Sequence, residues 1–252
     1  MDSSVSGKVA IVTGSTKGIG RGIAEGFAGN GCNVVVVSRH ESDCAEVTEA
    51  FQKSYGVKAI GIGADITDQN DIDRIVSKTV EHFGRIDVLV NNAGTAVTKN
   101  AEDLTREDWD RVMDLNMKAV FFCAQAVGKQ MIKQKQGKII NISSSLAFYV
   151  DKRILPYTVS KAALIQMTKA LGLEWAKHNI QVNAICPGYV ITELNEKELT
   201  DEQVAPAILK RIPMRRFAEA SEMTDAALFL ASGGSDYMTG QFIVVDGGLC
   251  IG

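Results

Sequence analysis

Along the chain, short β-branched apolar runs alternate with longer stretches in which apolar residues recur every three or four positions. The runs are Lys8–Thr13, Asn33–Ser38, Lys58–Gly63, Ile86–Asn91, Lys138–Ser143, Ile180–Ile185 and Phe242–Val245, each with the length and residue types of a strand. The stretches between them, roughly 18–29, 42–55, 68–83, 107–134, 156–178 and 219–232, carry helical spacing. Near-continuous apolar strands separated by helices predict a parallel sheet covered on both faces. No linker, charge block or repeat interrupts the pattern, so 1–252 is expected to form one α/β domain. Within it, 188–217 is polar in patches and weakly helical after Glu196, which is the character of a substrate lid.

Composition narrows the function classes. A formal net charge of −3 gives no reason to expect nucleic acid or an anionic membrane as partner. No stretch approaches the roughly 20 apolar residues of a membrane span, and the first residues lack the pattern of a signal peptide. The five cysteines (Cys32, Cys44, Cys123, Cys186, Cys250) are scattered, with no pair at metal-ligand or redox spacing. They read as core packing in a reducing compartment, so a cytoplasmic protein without a metal is expected.

The first strand runs into GSTKGIG (14–20), and a helix opens behind it with Ile23, Ala24 and Phe27 on one face. Gly14, Gly18 and Gly20 let backbone approach a pyrophosphate, and the helix start offers free N–H groups and a positive dipole end. A dinucleotide site that prefers NAD usually has an acid at the end of the second strand. Here that end reads Ser38, Arg39, with no carboxylate before Glu41. Arg39 can pair with a 2′-phosphate, and Lys17 adds a second cation, so NADP(H) is favoured over NAD(H).

Taken together, TGSTKGIG (13–20), NNAG (91–94), Ser144, YTVSK (157–161) and PGYVIT (187–192) resemble the short-chain dehydrogenase/reductases. The resemblance spans about Lys8 to Gly248, with every motif in order. It implies a Rossmann fold with a seven-stranded parallel sheet, commonly assembled as a homotetramer through two long central helices. It also implies a catalytic group of Asn116, Ser144, Tyr157 and Lys161. The implied cofactor contacts are Gly14, Ser15, Thr16, Lys17, Gly18, Ile19, Gly20, Ser38, Arg39, Asp65, Ile66, Asn92, Ala93 and Gly94. Tyr157, Lys161, Pro187, Gly188, Val190 and Thr192 complete that set. Asp65 would accept from the adenine amino group, Ile66 would line its pocket, and Thr192 would hold the carboxamide end of the nicotinamide.

The residue types suit that chemistry. Tyr157 and Lys161 share a helical face, with Pro156 in the first turn. A phenol with a pKa near 10 is brought toward the working range by a neighbouring ammonium, so that it can give and take a proton. Ser144 follows the fifth strand, at the carboxyl end where ligands bind in open α/β sheets, and can steady the substrate oxygen. Ser143 and Ser145 are its rivals on composition, and the Ser144–Tyr157 separation of the family decides between them. Asn116 falls in an apolar stripe of Trp109, Met113, Val120, Ala124, Val127 and Met131, so its amide must find a partner. The resemblance adds a water relay from Asn116 to Lys161.

The substrate is less legible. Within the family, gluconate 5-dehydrogenase-like sugar dehydrogenases and 3-oxoacyl-carrier-protein reductases are the nearest branches. Lys129 and Lys133 could hold an acidic carrier, but Leu173 stands where that branch has an arginine. A small ketone, polyol or sugar acid is therefore expected, interconverted with its alcohol by hydride transfer. Lys152 and Arg153 either receive an anionic substrate or form a solvated turn. Phe148, Tyr149, Tyr189 and Met214 would suit a partly apolar one. A cofactor-binding sensor or scaffold without turnover is the alternative of another class.

Overall fold

The computed structural model describes residues 4–193 and 195–251. The ends of the expected 1–252 domain and Leu194 of the expected lid thus lie outside the described residues. Seven parallel strands form one sheet in the order β3-β2-β1-β4-β5-β6-β7. They are β1 (Val9–Thr13), β2 (Asn33–Ser38), β3 (Ala59–Gly63), β4 (Val88–Asn91), β5 (Gly137–Ile142), β6 (Ile180–Pro187) and β7 (Phe242–Val245). The helices are α1 (Gly18–Gly29), α2 (Glu41–Tyr55), α3 (Gln69–Phe83), α4 (Arg106–Met113), α5 (Val120–Gln134), α6 (Leu155–Trp175), α7 (Glu196–Leu199), α8 (Ala205–Arg211) and α9 (Thr224–Ala231).

Alternation along the buried strands divides the core in two. Ala10, Val12, Val34, Val36, Val88 and Val90 pack toward α1, α2 and α9, joining Ile23, Phe27, Phe51 and Leu230. Val9, Ile11, Val35, Val37, Leu89 and Val182 pack the other way, onto α3 and α5 through Ile72, Ile75, Ala124, Val127 and Met131. Helix ends follow local chemistry. Asp68 caps α3 by accepting from the Asn70 N–H, and Thr105 with Asp108 forms a reciprocal capping box on α4.

The expected helix 107–134 holds a wide turn. Between α4 and α5 the backbone runs as a π-helix over Asp114–Ala119. The extra residue shifts the phase of the apolar stripe, so that Val112 is buried on the upstream side while Trp109 is 37% exposed. Trp109 is thus outside the buried stripe to which its spacing assigns it, whereas Asn116, Val120, Ala124, Val127 and Met131 are inside it.

Because every strand runs the same way, the carboxyl ends of β1, β2, β4, β5 and β6 meet at one edge of the sheet. The segments that leave that edge begin at Gly14, Arg39, Asn92, Ser143 and Gly188. The motifs separated in sequence are neighbours there.

Candidate active site

The glycine turn is stitched to the segment after β4. The Thr13 hydroxyl accepts from the Asn92 and Ala93 N–H groups at 3.0 and 3.1 Å. The Asn92 amide donates to the Thr13 and Gly14 carbonyls at 2.9 and 3.1 Å. Gly14 and Gly18 have φ of 64° and 52°, in the region that favours glycine. Gly20 has a different reason: a Cβ there would collide with Asn92 Nδ2 and the Gly14 carbonyl. Asn92 therefore shapes the turn as well as lying beside it.

Other expected cofactor contacts take defined places. The buried Ser15 hydroxyl donates to the Val12 carbonyl at 2.7 Å and accepts from the Val37 N–H at 3.1 Å, tying β1 to β2. Thr16 donates to the Ser38 hydroxyl at 3.2 Å, bringing the chain neighbours Lys17 and Arg39 to the same corner, where both are exposed. Asp65 is exposed and accepts from the Thr67 N–H and hydroxyl, while Ile66 is buried. Across the cleft, Asn195 accepts from Thr192 N–H and hydroxyl at 2.8 and 3.1 Å and donates to the Val190 carbonyl at 2.9 Å. That clamp fixes the PGYVIT segment. The next residue, Glu193, points its carboxylate at the start of α1, where Oε2 accepts from the Gly18 N–H at 3.1 Å.

The expected catalytic residues converge. Lys161 is 4% exposed, its Nζ donates to the Ile142 carbonyl at 2.8 Å, and it lies 5.4 Å from the Tyr157 ring centroid. The Ser144 hydroxyl lies close enough to the Tyr157 phenol to draw it down against its burial. Its rivals are engaged elsewhere: Ser143 donates to the Lys161 carbonyl at 2.8 Å, and Ser145 lies close to Tyr149. Asn116 is fully buried in the π turn. It accepts from the Thr95 N–H at 2.8 Å and donates to the Thr95 carbonyl and the Ser160 hydroxyl at 2.9 and 3.1 Å. A Cβ on Gly94 would touch Asn116 Oδ1 and Lys161 Nζ at 3.3 and 3.7 Å, so all three meet at one point.

Electrostatics differ from the expectation at one group. Burial pushes the Tyr157 phenol up, with Ser144 pulling the other way. Burial also pushes Lys161 down, to about 8. Desolvation sets the direction at both groups, so at neutral pH Tyr157 stands as a protonated donor beside a lysine that still carries most of its charge.

Several site neighbours escape a reading of the sequence. Ser160 lies inside YTVSK, but only the fold turns its hydroxyl to Asn116. Asn195 carries a local signal, an amide three residues after Thr192 that can close an Asx-type loop. Glu193 carries none. A cleft of about 510 Å³ between 212–218 and β7, lined by Tyr189, Met214, Arg216 and Asp246 among others, holds two of the residues expected to suit a partly apolar substrate and none of the expected catalytic or cofactor residues.

Comparison with known proteins agrees with this geometry. The family model described as enoyl-(acyl carrier protein) reductase matches residues 14–250. The chain is 43% identical over 245 residues to 2-dehydro-3-deoxy-D-gluconate 5-dehydrogenase of Dickeya dadantii, covering 96% of this chain and 95% of the relative. It is 38% identical over 250 residues to an NAD-dependent glycerol dehydrogenase of Listeria innocua, covering 99% and 96%. The crystal structure of a gluconate 5-dehydrogenase from Burkholderia cenocepacia, in complex with NADP and tartrate, superposes with a TM-score of 0.94 at 36% identity, covering 98% and 96%. The chain belongs to the short-chain dehydrogenase/reductases, a family of oxidoreductases.

Proposed function

We propose that this chain is an NADP(H)-dependent oxidoreductase that interconverts a sugar acid and its keto form. The observation that carries the reading is the meeting of Ser144, Tyr157 and Lys161 across the cleft from a glycine turn built for close backbone approach. The nicotinamide supplies or accepts the hydride when bound. Tyr157 gives its phenolic proton to the carbonyl oxygen in reduction and takes the alcohol proton in oxidation. Ser144 steadies that oxygen, and Lys161 holds positive charge beside the phenol. Asn116 fixes the 94–95 backbone against which Lys161 rests, in support of a positioning role.

The turn from Gly14 to Gly20 with the start of α1 would take the pyrophosphate, and Arg39 with Lys17 the 2′-phosphate. A solved relative carries NADP, and the names of the sugar-acid relatives supply the substrate class. Assembly as a homotetramer is part of the same reading. Leu155, Val159 and Leu173 are exposed at 41%, 40% and 83%, and their spacing puts them on one side of α6, an apolar strip suited to a second copy. Free thiols, four of the five buried, suit a reducing cytoplasm.

The test is cofactor oxidation with a panel of keto acids, sugars and small ketones, run with NADPH and NADH in parallel. Arg39→Ala should raise the KM for NADPH about tenfold or more while moving that for NADH far less. An equal effect on both would remove the 2′-phosphate reading, and binding without turnover on any substrate would favour a sensor.

A further inference from the structure

Beyond Tyr157, the site wall continues into a polar cluster that joins two distant segments. Asp151, in the loop before α6, pairs with Arg211, the last residue of α8, at 2.7 Å. Tyr189 donates to the same Asp151 oxygen at 3.4 Å, and the Arg211 guanidinium lies 5.7 Å from the Tyr149 ring centroid. Tyr149 in turn lies close enough to Ser145 for its phenol to be influenced, and close enough to Tyr157 to influence that phenol. Tyr149 therefore stands between the proton donor and a guanidinium.

We propose that Arg211 binds the carboxylate of the sugar-acid substrate, taking it in exchange for Asp151. This rests on the sugar-acid reading above. The Arg211–Asp151 pair is accessible, with side-chain exposures of 44% and 34%, and such a pair contributes little stability, so an incoming carboxylate can replace Asp151 at small cost. Burial pushes Tyr189 up to about 12 and raises Tyr149, so both remain neutral donors to sugar oxygens.

Other cations nearby are held differently. Arg216 grips Glu222 with both terminal nitrogens at 2.7 Å, and Arg215 turns back to the Leu209 and Lys210 carbonyls. Lys152 and Arg153 are exposed, and their backbone meets Asp151 and Lys99. Arg211 is the cation seated against Tyr149 and Tyr189.

The experiment compares 5-keto-D-gluconate with L-sorbose, which shares its carbon skeleton but has a primary alcohol in place of the carboxylate. Arg211→Gln should raise the KM for the keto acid at least about tenfold more than that for L-sorbose, and Arg211→Lys should restore part of the difference. Asp151→Asn breaks the same pair yet should leave the keto-acid KM unchanged or lower it. If both variants raise the KM of both substrates alike, the pair is only a strap and the inference fails. If the wild-type enzyme shows no preference for the keto acid over L-sorbose, the sugar-acid reading itself fails, and Arg211 loses its ligand with it.

Discussion

The two walls of the cleft are built on opposite principles. The glycine turn and the 91–94 segment lock together through four hydrogen bonds from Asn92 and Ala93 to Thr13 and Gly14, over fully buried valines. The segment after β6 is held by one amide clamp at Asn195, a short bridge between Val190 and Ala218, and exposed ion pairs such as Arg211–Asp151. The first wall carries parts whose geometry is the same for any substrate. On the proposed reading, the second carries the parts that discriminate. Rigid support suits a group that must be met identically in every turnover, whereas weak contacts suit a surface that reopens each time.

Proton transfer should depend on the rigid side most strongly. Tyr157→Phe removes the donor without touching the glycine turn, so kcat should fall about 10²–10⁴-fold while NADPH fluorescence titration gives a nearly unchanged Kd. Near-normal turnover would take the proton away from Tyr157. Gly20→Ala forces a Cβ into Asn92 and the Gly14 carbonyl, and should cost about 1–3 kcal/mol of stability with a large loss of cofactor affinity. Unchanged thermal unfolding and affinity would mean that the first wall is softer than its packing implies.

The pH profile separates the two directions of reaction. Tyr157 is raised by burial and is the proposed donor in reduction, so reduction should hold at neutral pH. It should fall as Lys161 loses its proton near 8 and the phenol follows at higher pH. Oxidation needs the phenolate and should rise over that interval. Initial rates in both directions check this, and a reduction rate that climbs with pH would reverse the assignment. The smallest effect belongs to the second wall. Glu193→Gln removes a negative charge from the start of α1, and isothermal titration should show NADPH binding about two- to fivefold tighter. Weaker binding would mean that Glu193 assists the cofactor.

This contrast also explains what the sequence reveals. All seven strands are legible to within two residues, because buried parallel strands must be apolar along their length. Asn116 stands out because an amide in an apolar stripe needs a partner, and Thr95 with Ser160 provides it. The π turn beneath it escapes, since one extra residue leaves the local apolar pattern nearly helical and is exposed only by the misplacement of Trp109. Asp151 and Arg211 escape for another reason. Sixty positions separate them, Asp151 lies in a loop and Arg211 ends a helix of only seven residues, and only the returning chain after β6 brings them together.

The π turn has a consequence for how the chain tolerates change in length. Loops at this edge can gain or lose residues with little effect on the sheet. Dropping one residue from 114–119 would let α4 and α5 merge into a regular helix and remove the wide turn that seats Asn116. Asn116 would swing off the Thr95 backbone although no catalytic side chain had been altered. Substitution libraries that spare Asn116 would sample this region at smaller cost. Libraries of insertions and deletions would find it among the least forgiving stretches of the enzyme.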